Sequence, residues 1–299
     1  MASEELGFVI DVLRSRLVEG QGSDDFVARR AEMEKWTSTA PIPDGMKTEA
    51  VDAGGVPAEW VTMPGVDSSR VVQYHHGGAY TQGSLNTHRR FVALLAEAAG
   101  ARVLNVDYRL APEHPHPAAV DDAVAAYRWL TTTEGIEPAH VVVAGDSAGG
   151  GLTASLLVAL RDAGDAMPAG GALLSPWADL TLEGASHDTR FDLDPMCNRN
   201  TLSPSVRAYT NGASTRAPLI SPVYADLTGL PPLVIHVGDH ETLRDDSVAL
   251  AEAATKAGVD VDLWVAPEMI HVWHVFTGLV PESEEALATL ATWIKKRLR

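Results

Sequence analysis

The sequence predicts an α/β protein with a mostly parallel sheet of eight strands flanked by helices. From residue 86 onward, short apolar runs alternate with longer segments whose apolar residues recur at helical spacing. Strands separated by helices join as parallel neighbours, because each helical crossover returns the chain to the same end of the sheet. A further sign is the run 141–151, where a buried strand, a glycine turn and a helix follow one another.

The composition is that of one globular chain with an excess of acidic groups. At 299 residues the protein is near the upper size for a single hydrophobic core, so we expect one main domain with an appended cap. The 23 Lys and Arg residues against 40 Asp and Glu residues give a net charge of −17. This charge disfavours nucleic acid and anionic membrane surfaces as partners. No apolar run reaches the roughly 18 residues of a membrane span, so no stable membrane insertion is expected.

The single cysteine and the first residues bear on the cellular compartment. Cys197 has no second cysteine for an internal disulfide, and no group of Cys and His residues has zinc-ligand spacing. Residues 1–17 are interrupted by charged side chains, unlike the basic start and apolar stretch of a signal peptide. We therefore expect a cytoplasmic protein without a metal site.

The first 45 residues are predicted to form two helices that belong to the cap. Residues 3–19 carry apolar side chains at helical spacing, namely Leu6, Val9, Ile10, Leu13 and Leu17. A second helix is expected to begin with Ser23 as its cap, followed by acidic residues in its first turn.

The rest of the chain divides into a core in two parts and an insertion. Residues 46–180 and 222–299 are assigned to the core, and residues 181–221, which lack a regular apolar period, to the second part of the cap. The predicted strands are 46–51, 58–63, 71–75, 102–107, 141–145, 171–175, 232–237 and 260–265. The predicted core helices are 87–99, 118–132, 150–162, 243–257 and 283–298.

Ser147 lies between two glycines in the run Gly145-Asp146-Ser147-Ala148-Gly149. The strand before it and the helix after it are typical of a strained turn that lifts a serine hydroxyl above a sheet. Alone the motif is weak, because an ordinary glycine-rich connection between strand and helix has the same residues. Asp146 is expected to support the loop by hydrogen bonds.

A second glycine loop, His76-Gly77-Gly78-Ala79, follows the predicted strand 71–75. Consecutive glycines leave backbone N–H groups free to point into a cavity. There they stabilise the anion that forms when a serine attacks an ester carbonyl. We predict an oxyanion hole from the N–H groups of Gly77, Gly78 and Ala79, together with Ala148 after the serine. A plain glycine turn is the alternative.

Four motifs, in this order, resemble those of the hormone-sensitive-lipase family of α/β-hydrolase esterases, the bacterial family IV group. They are His76-Gly77-Gly78-Ala79, Asp107-Tyr108-Arg109-Leu110-Ala111-Pro112-Glu113, Gly145-Asp146-Ser147-Ala148-Gly149 and Ser175-Pro176-Trp177. Ala79 stands where many relatives have a third glycine, and only its backbone N–H is needed. The resemblance implies an α/β-hydrolase fold with a helical cap, and Ser147 as a nucleophile that works without a cofactor. It also implies a homodimer through the last strand or its neighbouring helix.

The family's chain order of serine, acid and histidine places the acid downstream of Ser147. Alignment of Leu243-Arg244-Asp245 with the family pattern puts Glu241 at the acid position. Asp239 stays the alternative, because it also follows the predicted strand 232–237. The resemblance makes His271 the base, and His274 is expected to pack structurally.

These features predict a serine carboxylic ester hydrolase acting on small esters with short or medium acyl chains. Its pocket residues are predicted to be Tyr80, Trp177, Met196, Tyr209 and Leu219, although each also suits ordinary packing. The segment 271–274 resembles monoterpene ε-lactone hydrolases too, so a cyclic ester is an alternative substrate. A receptor of small ligands on the same fold is a second hypothesis, and an amidase or peptidase is a third.

Overall fold

The computed structural model describes residues 2–17, 24–37 and 41–298, built around one sheet of eight strands. The strands are β1 (Lys47–Asp52), β2 (Pro57–Thr62), β3 (Asp67–His75), β4 (Ala101–Val106), β5 (Val141–Asp146), β6 (Gly170–Leu174), β7 (Leu233–Gly238) and β8 (Val261–Ala266). The helices are α1 (Glu4–Leu17), α2 (Phe26–Thr37), α3 (Leu85–Ala99), α4 (Ala118–Thr132), α5 (Ala148–Ala163), α6 (Ser186–Thr189), α7 (Arg199–Thr210), α8 (Arg244–Lys256) and α9 (Pro281–Arg297).

The strand order across the sheet is β1-β2-β4-β3-β5-β6-β7-β8. The β1–β2 and β2–β4 pairs are antiparallel, and every later pair is parallel. The predicted eight-stranded, mostly parallel sheet is therefore confirmed. Because six neighbouring strands run the same way, the loops that follow β3, β5, β6, β7 and β8 meet at one edge of the sheet.

Helices cover both faces of the sheet. In β5, Val141 and Val143 belong to an apolar cluster with α4, α5 and α8, while Val142 and Ala144 belong to one with α3 and α9. Successive side chains of a strand point to opposite faces, so the two clusters lie on opposite sides. A central strand buried on both faces explains the continuous apolar run of its sequence.

Several helix boundaries differ from the predicted ones by about two residues. Helix α3 begins at Leu85 because Ser84 caps it and forms a reciprocal capping box with Thr87. Helix α9 begins at Pro281, since proline is favoured in the first helical turn, where its missing N–H is not needed. The predicted cap at Ser23 lies outside the described residues.

Helix α1 packs on the loop that follows β8. Its buried Leu6 and Leu13 share an apolar cluster with Met269, Ile270 and Trp273. The backbone N–H and the hydroxyl of Ser3 also donate hydrogen bonds of 2.7 and 2.8 Å to Glu282, at the start of α9. The N-terminal helix therefore supports the backbone on either side of His271.

The described part of the chain has no helix with both the length and the apolar character needed to cross a bilayer.

We predict that Leu6→Ala lowers the free energy of unfolding by about 3 kcal/mol, because it removes buried methyl groups and leaves a cavity. Leu6 is 0% exposed, whereas Phe8 of the same helix is 70% exposed. Phe8→Ala is the matched control, with an expected change below about 0.5 kcal/mol. Urea unfolding followed by tryptophan fluorescence measures both variants, and equal effects would contradict the packing of α1.

Candidate active site

Ser147 occupies a strained turn between β5 and α5. Its backbone angles are φ 53° and ψ −121°, a conformation that non-glycine residues rarely adopt. The turn needs glycine on both sides: a Cβ on Gly149 would lie 2.0 Å from the carbonyl oxygen of His75, and one on Gly145 would lie 2.3 Å from that of Gly149. The GxSxG sequence thus fits this close approach of backbone to backbone.

The loop after β8 brings His271 to Ser147. The Nε2 atom of His271 lies 2.9 Å from the Oγ atom of Ser147. Both residues are buried, with Ser147 9% exposed. The distance suits proton transfer from the hydroxyl to the imidazole.

Glu241, in the loop after β7, holds the other side of the imidazole. Its Oε2 atom accepts a hydrogen bond of 2.8 Å from His271 Nδ1. Its Oε1 atom accepts bonds of 2.6 Å from the N–H of Gly238 and from the hydroxyl of Ser175. The carboxylate is 0% exposed, and these three donors compensate its loss of hydration.

The alternative acid, Asp239, and the second histidine, His274, have other partners than Ser147 and His271. Asp239 is 37% exposed and forms ion pairs with Arg244 at 2.9 Å and Arg190 at 3.4 Å. His274 is buried, and its Nε2 atom lies 3.1 Å from Nδ1 of His236 on β7. Of the predicted candidates, Glu241 and His271 are therefore the two that the fold brings to Ser147.

Ser175 is a site residue whose role the sequence did not indicate. It directly follows β6, and its Oγ atom donates to Glu241 while accepting a 3.1 Å hydrogen bond from the N–H of Val272. It thereby connects Glu241 to the backbone next to His271. The signal in the sequence was its place in Ser175-Pro176-Trp177, a polar residue at the carboxyl end of a parallel strand.

Opposing influences set the pKa of His271. Burial by itself lowers this pKa, because the imidazolium loses hydration. The neighbouring Cys197 sulfur and the Glu241 carboxylate outweigh burial, and the pKa is raised well above its usual value. The site thus favours the protonated imidazole, the form that follows proton uptake from Ser147.

The loop after β3, which contacts the serine turn through Gly77 and Asp146, carries backbone N–H groups without an acceptor. Gly78, Ala79 and Tyr80 all have positive φ angles, of 119°, 54° and 61°. Within the described residues, the N–H groups of Gly78, Ala79 and Ala148 have no hydrogen-bond acceptor. Such unpaired donors near a nucleophile suit an anion that forms during reaction.

The N–H of Gly77 is used differently from the prediction. It donates a 2.9 Å hydrogen bond to Oδ1 of Asp146, so it is not free to bind an oxyanion. Asp146 also accepts a 2.7 Å bond from the hydroxyl of Tyr74 and lies 3.4 Å from Nε2 of His88. Burial alone raises the pKa of Asp146, but His88 and Tyr74 outweigh it and lower the pKa, so the carboxylate stays charged. Asp146 therefore ties the serine turn to the loop after β3.

Three of the predicted pocket residues form one aromatic cluster. The rings of Tyr80 and Tyr209 stack with centroids 3.8 Å apart, and Trp177 lies 6.2 Å from Tyr80. All three are buried, while Met196 and Leu219 are half-buried at the edge of the same core. The cluster joins α7 to the loop after β3, so in this structure it packs the two parts together.

No group of three or more His, Cys, Asp or Glu side chains in the described ranges is arranged to hold a metal ion. The absence of a cofactor stays a prediction.

Comparison with known proteins gives consistent matches. A family described as alpha/beta hydrolase fold matches residues 72–275. An acetyl-hydrolase of Streptomyces hygroscopicus is 46% identical over 254 residues, covering 85% of this chain and 83% of the relative. The carboxylesterase NlhH of Mycobacterium tuberculosis is 38% identical over 242 residues, covering 78% and 75%.

Solved structures agree with these relatives. An esterase from the bacterial hormone-sensitive lipase family superposes with a TM-score of 0.96 at 44% identity, covering 100% of both chains. The crystal structure of EstE5 superposes with a TM-score of 0.96 at 41% identity, covering 99% of both. The predicted fold and the prediction of an esterase are confirmed. The chain belongs to the α/β-hydrolase fold family, as a member of its hormone-sensitive-lipase-like group of esterases.

Proposed function

We propose that this protein is a serine carboxylic ester hydrolase with Ser147 as nucleophile, His271 as base and Glu241 as the acid that orients the histidine. The observation that carries the proposal is the continuous hydrogen-bonded line from Ser147 Oγ to His271 Nε2, 2.9 Å, and from His271 Nδ1 to Glu241 Oε2, 2.8 Å. This is the geometry that serine acyl transfer requires.

In the first half of the reaction, His271 takes the proton of Ser147 while the serine oxygen attacks the ester carbonyl. The carbonyl oxygen becomes negative and is stabilised by the N–H groups of Gly78, Ala79 and Ala148. His271 then gives its proton to the departing alcohol, leaving the acyl group on Ser147. Glu241 stabilises the imidazolium meanwhile and fixes the tautomer that leaves Nε2 free as the base.

In the second half, water replaces the alcohol. His271 deprotonates the water, which attacks the acyl carbonyl, and the same N–H groups hold the oxyanion. Collapse of the intermediate returns the proton through His271 to Ser147 and releases the acid.

We propose small esters with short or medium acyl chains as substrates. Ser147 is only 9% exposed, and the aromatic cluster of Tyr80, Trp177 and Tyr209 fills space beside the first turn of its helix. One relative is called an acetyl-hydrolase, and EstE5 crystals were soaked with p-nitrophenyl butyrate.

Residues 1–45 and 181–221 are proposed to form the cap over a core of residues 46–180 and 222–299. An ε-lactone would open by the same chemistry and stays the alternative substrate.

The receptor hypothesis has less support, because serine, histidine, acid and unpaired N–H donors are present together. The homodimer and the cytoplasmic location stay predictions.

We predict that Ser147→Ala lowers kcat on p-nitrophenyl butyrate by at least about a thousandfold without unfolding the protein, since it removes the nucleophile. A series of p-nitrophenyl esters from acetate to decanoate, together with ε-caprolactone, measures the substrate range of the wild type. Circular dichroism and thermal unfolding serve as the folding control. Wild-type protein that hydrolyses none of these compounds, or a variant that keeps its activity, would rule out the proposed function.

We predict that Glu241→Gln lowers kcat by about a hundredfold or more, whereas Asp239→Asn changes it by less than about threefold. The base must be neutral to accept a proton, so the raised pKa of His271 places the acid limb of the wild-type pH–rate profile above about pH 6.5. Removal of the carboxylate lowers this pKa, so the limb of Glu241→Gln moves to lower pH. A larger loss in Asp239→Asn would reverse the assignment of the acid.

We predict that Ser175→Ala lowers kcat about tenfold, because the buried carboxylate of Glu241 loses a hydrogen bond and Val272 loses its acceptor. Ser155→Ala is the matched control: Ser155 is also a buried serine, and its hydroxyl has no partner among the described residues. Its kcat should stay within about twofold of wild type. Steady-state kinetics on p-nitrophenyl acetate distinguish the two, and equal values would deny Ser175 a role in the site.

A further inference from the structure

Asp194, a buried carboxylate in the 181–221 segment, contacts the loop that carries Glu241. Asp194 is 7% exposed. Its Oδ2 atom accepts a 2.8 Å hydrogen bond from the N–H of Thr242 and lies 3.2 Å from the hydroxyl of the same residue. Because Thr242 directly follows Glu241, Asp194 fixes the peptide unit at the base of the Glu241 side chain.

The second oxygen of Asp194 fixes residues of its own segment. Its Oδ1 atom accepts hydrogen bonds from the N–H groups of Met196, at 2.8 Å, and Cys197, at 2.9 Å. The carbonyl oxygen of Cys197 in turn lies 3.1 Å from the Thr242 hydroxyl. The sulfur of the buried Cys197 contributes to the raised pKa of His271. One carboxylate thus joins the backbone at Glu241 to the backbone of Met196 and Cys197.

Two other hydrogen bonds also join the 181–221 segment to the loop that carries Glu241. The hydroxyl of Ser186 donates a 2.6 Å bond to the carbonyl of Thr242, and Arg190 Nε donates a 2.6 Å bond to the carbonyl of Asp239. Asp194 differs from them in being a buried charge whose two oxygens both have protein donors. Such a group is stable only in one arrangement of its partners, because loss of a donor leaves the charge without compensation.

Glutamate as the acid makes this support more important. Its side chain has one more rotatable bond than aspartate, so more rotamer freedom must be restricted for the carboxylate to keep one position. The carboxylate must still meet Gly238, Ser175 and His271 at the same time.

We propose that Asp194 is a positioning residue for the esterase reaction, which sets Glu241 through Thr242 and holds Cys197 near His271. The proposal rests on the proposed triad. It gives the 181–221 segment a part in the geometry of the reacting groups, in addition to its proposed place in the cap.

The test compares Asp194→Asn with Asp192→Asn, a matched control. Asp192 lies in the same loop, its side chain is exposed, and its carbonyl oxygen is the group that contacts Arg14.

Active sites are counted with a serine-reactive fluorophosphonate, and kcat, KM and the pH profile are measured on p-nitrophenyl acetate. For Asp194→Asn we expect kcat per active site to fall about tenfold, with KM within about twofold. The acid limb should move to lower pH, because a displaced Glu241 stabilises the imidazolium less. Asp192→Asn should match the wild type.

A purely structural role for Asp194 would lower the thermal midpoint and the number of active sites, but would leave kcat per active site and the acid limb unchanged. That result overturns the proposal. If Asp194→Asn does not fold, Thr242→Val, which removes the hydroxyl and keeps the N–H, takes its place. It should lower kcat about threefold and move the limb in the same direction, and an unchanged limb overturns the proposal. Either negative result leaves Ser147-dependent hydrolysis intact, so it is distinct from a failure of the proposed function.

Discussion

The buried carboxylate of Glu241 is the constraint on which the arrangement of the site depends. A charge with 0% exposure is stable only when its oxygens have partners, and here the donors come from Gly238, Ser175 and His271. These residues lie at or after the ends of β7, β6 and β8, which are neighbours in the sheet. One carboxylate therefore connects residues at the ends of three adjacent strands, and it orients His271 through Nδ1.

A second buried carboxylate has the corresponding place on the other side of Ser147. Asp146 ends β5 and accepts hydrogen bonds from Tyr74 of β3 and from Gly77 in the loop after β3. It thereby links the serine turn to the loop that carries the unpaired N–H groups of Gly78 and Ala79. The strained conformation of Ser147 persists because the strand, the helix and this carboxylate fix the turn from three sides.

The segments outside the sheet are attached by different forces. Helix α1 is held on the His271 loop mainly by apolar side chains such as Leu6 and Leu13. Helix α2 has no buried residue. Its Arg30 side chain attaches it to the sheet domain by donating hydrogen bonds to Glu113 and to the carbonyl oxygens of Thr81 and Ala111. The 181–221 segment uses buried polar groups, Ser186 and Asp194, against the Glu241 loop. Hydrogen bonds are directional and buried polar groups need their partners, so the polar attachment restricts the position of the Glu241 loop in a way that apolar contact alone does not.

The sequence by itself determined the elements and the motifs, because both depend on neighbouring residues. Apolar periodicity predicted the strands and the core helices to within about two residues, except that β3 begins at Asp67, four residues before the predicted start, and the glycines around Ser147 predicted the turn. Only the tertiary structure decided which groups meet. Asp239 and Glu241 are two residues apart and both follow β7, yet one pairs with arginines near the surface and the other contacts His271. The contacts of Ser175 with Glu241, of Gly77 with Asp146 and of Asp194 with Thr242 join residues at least 48 positions apart. No local pattern specifies such pairs, because they exist only once the strands are aligned and the loops share one edge of the sheet.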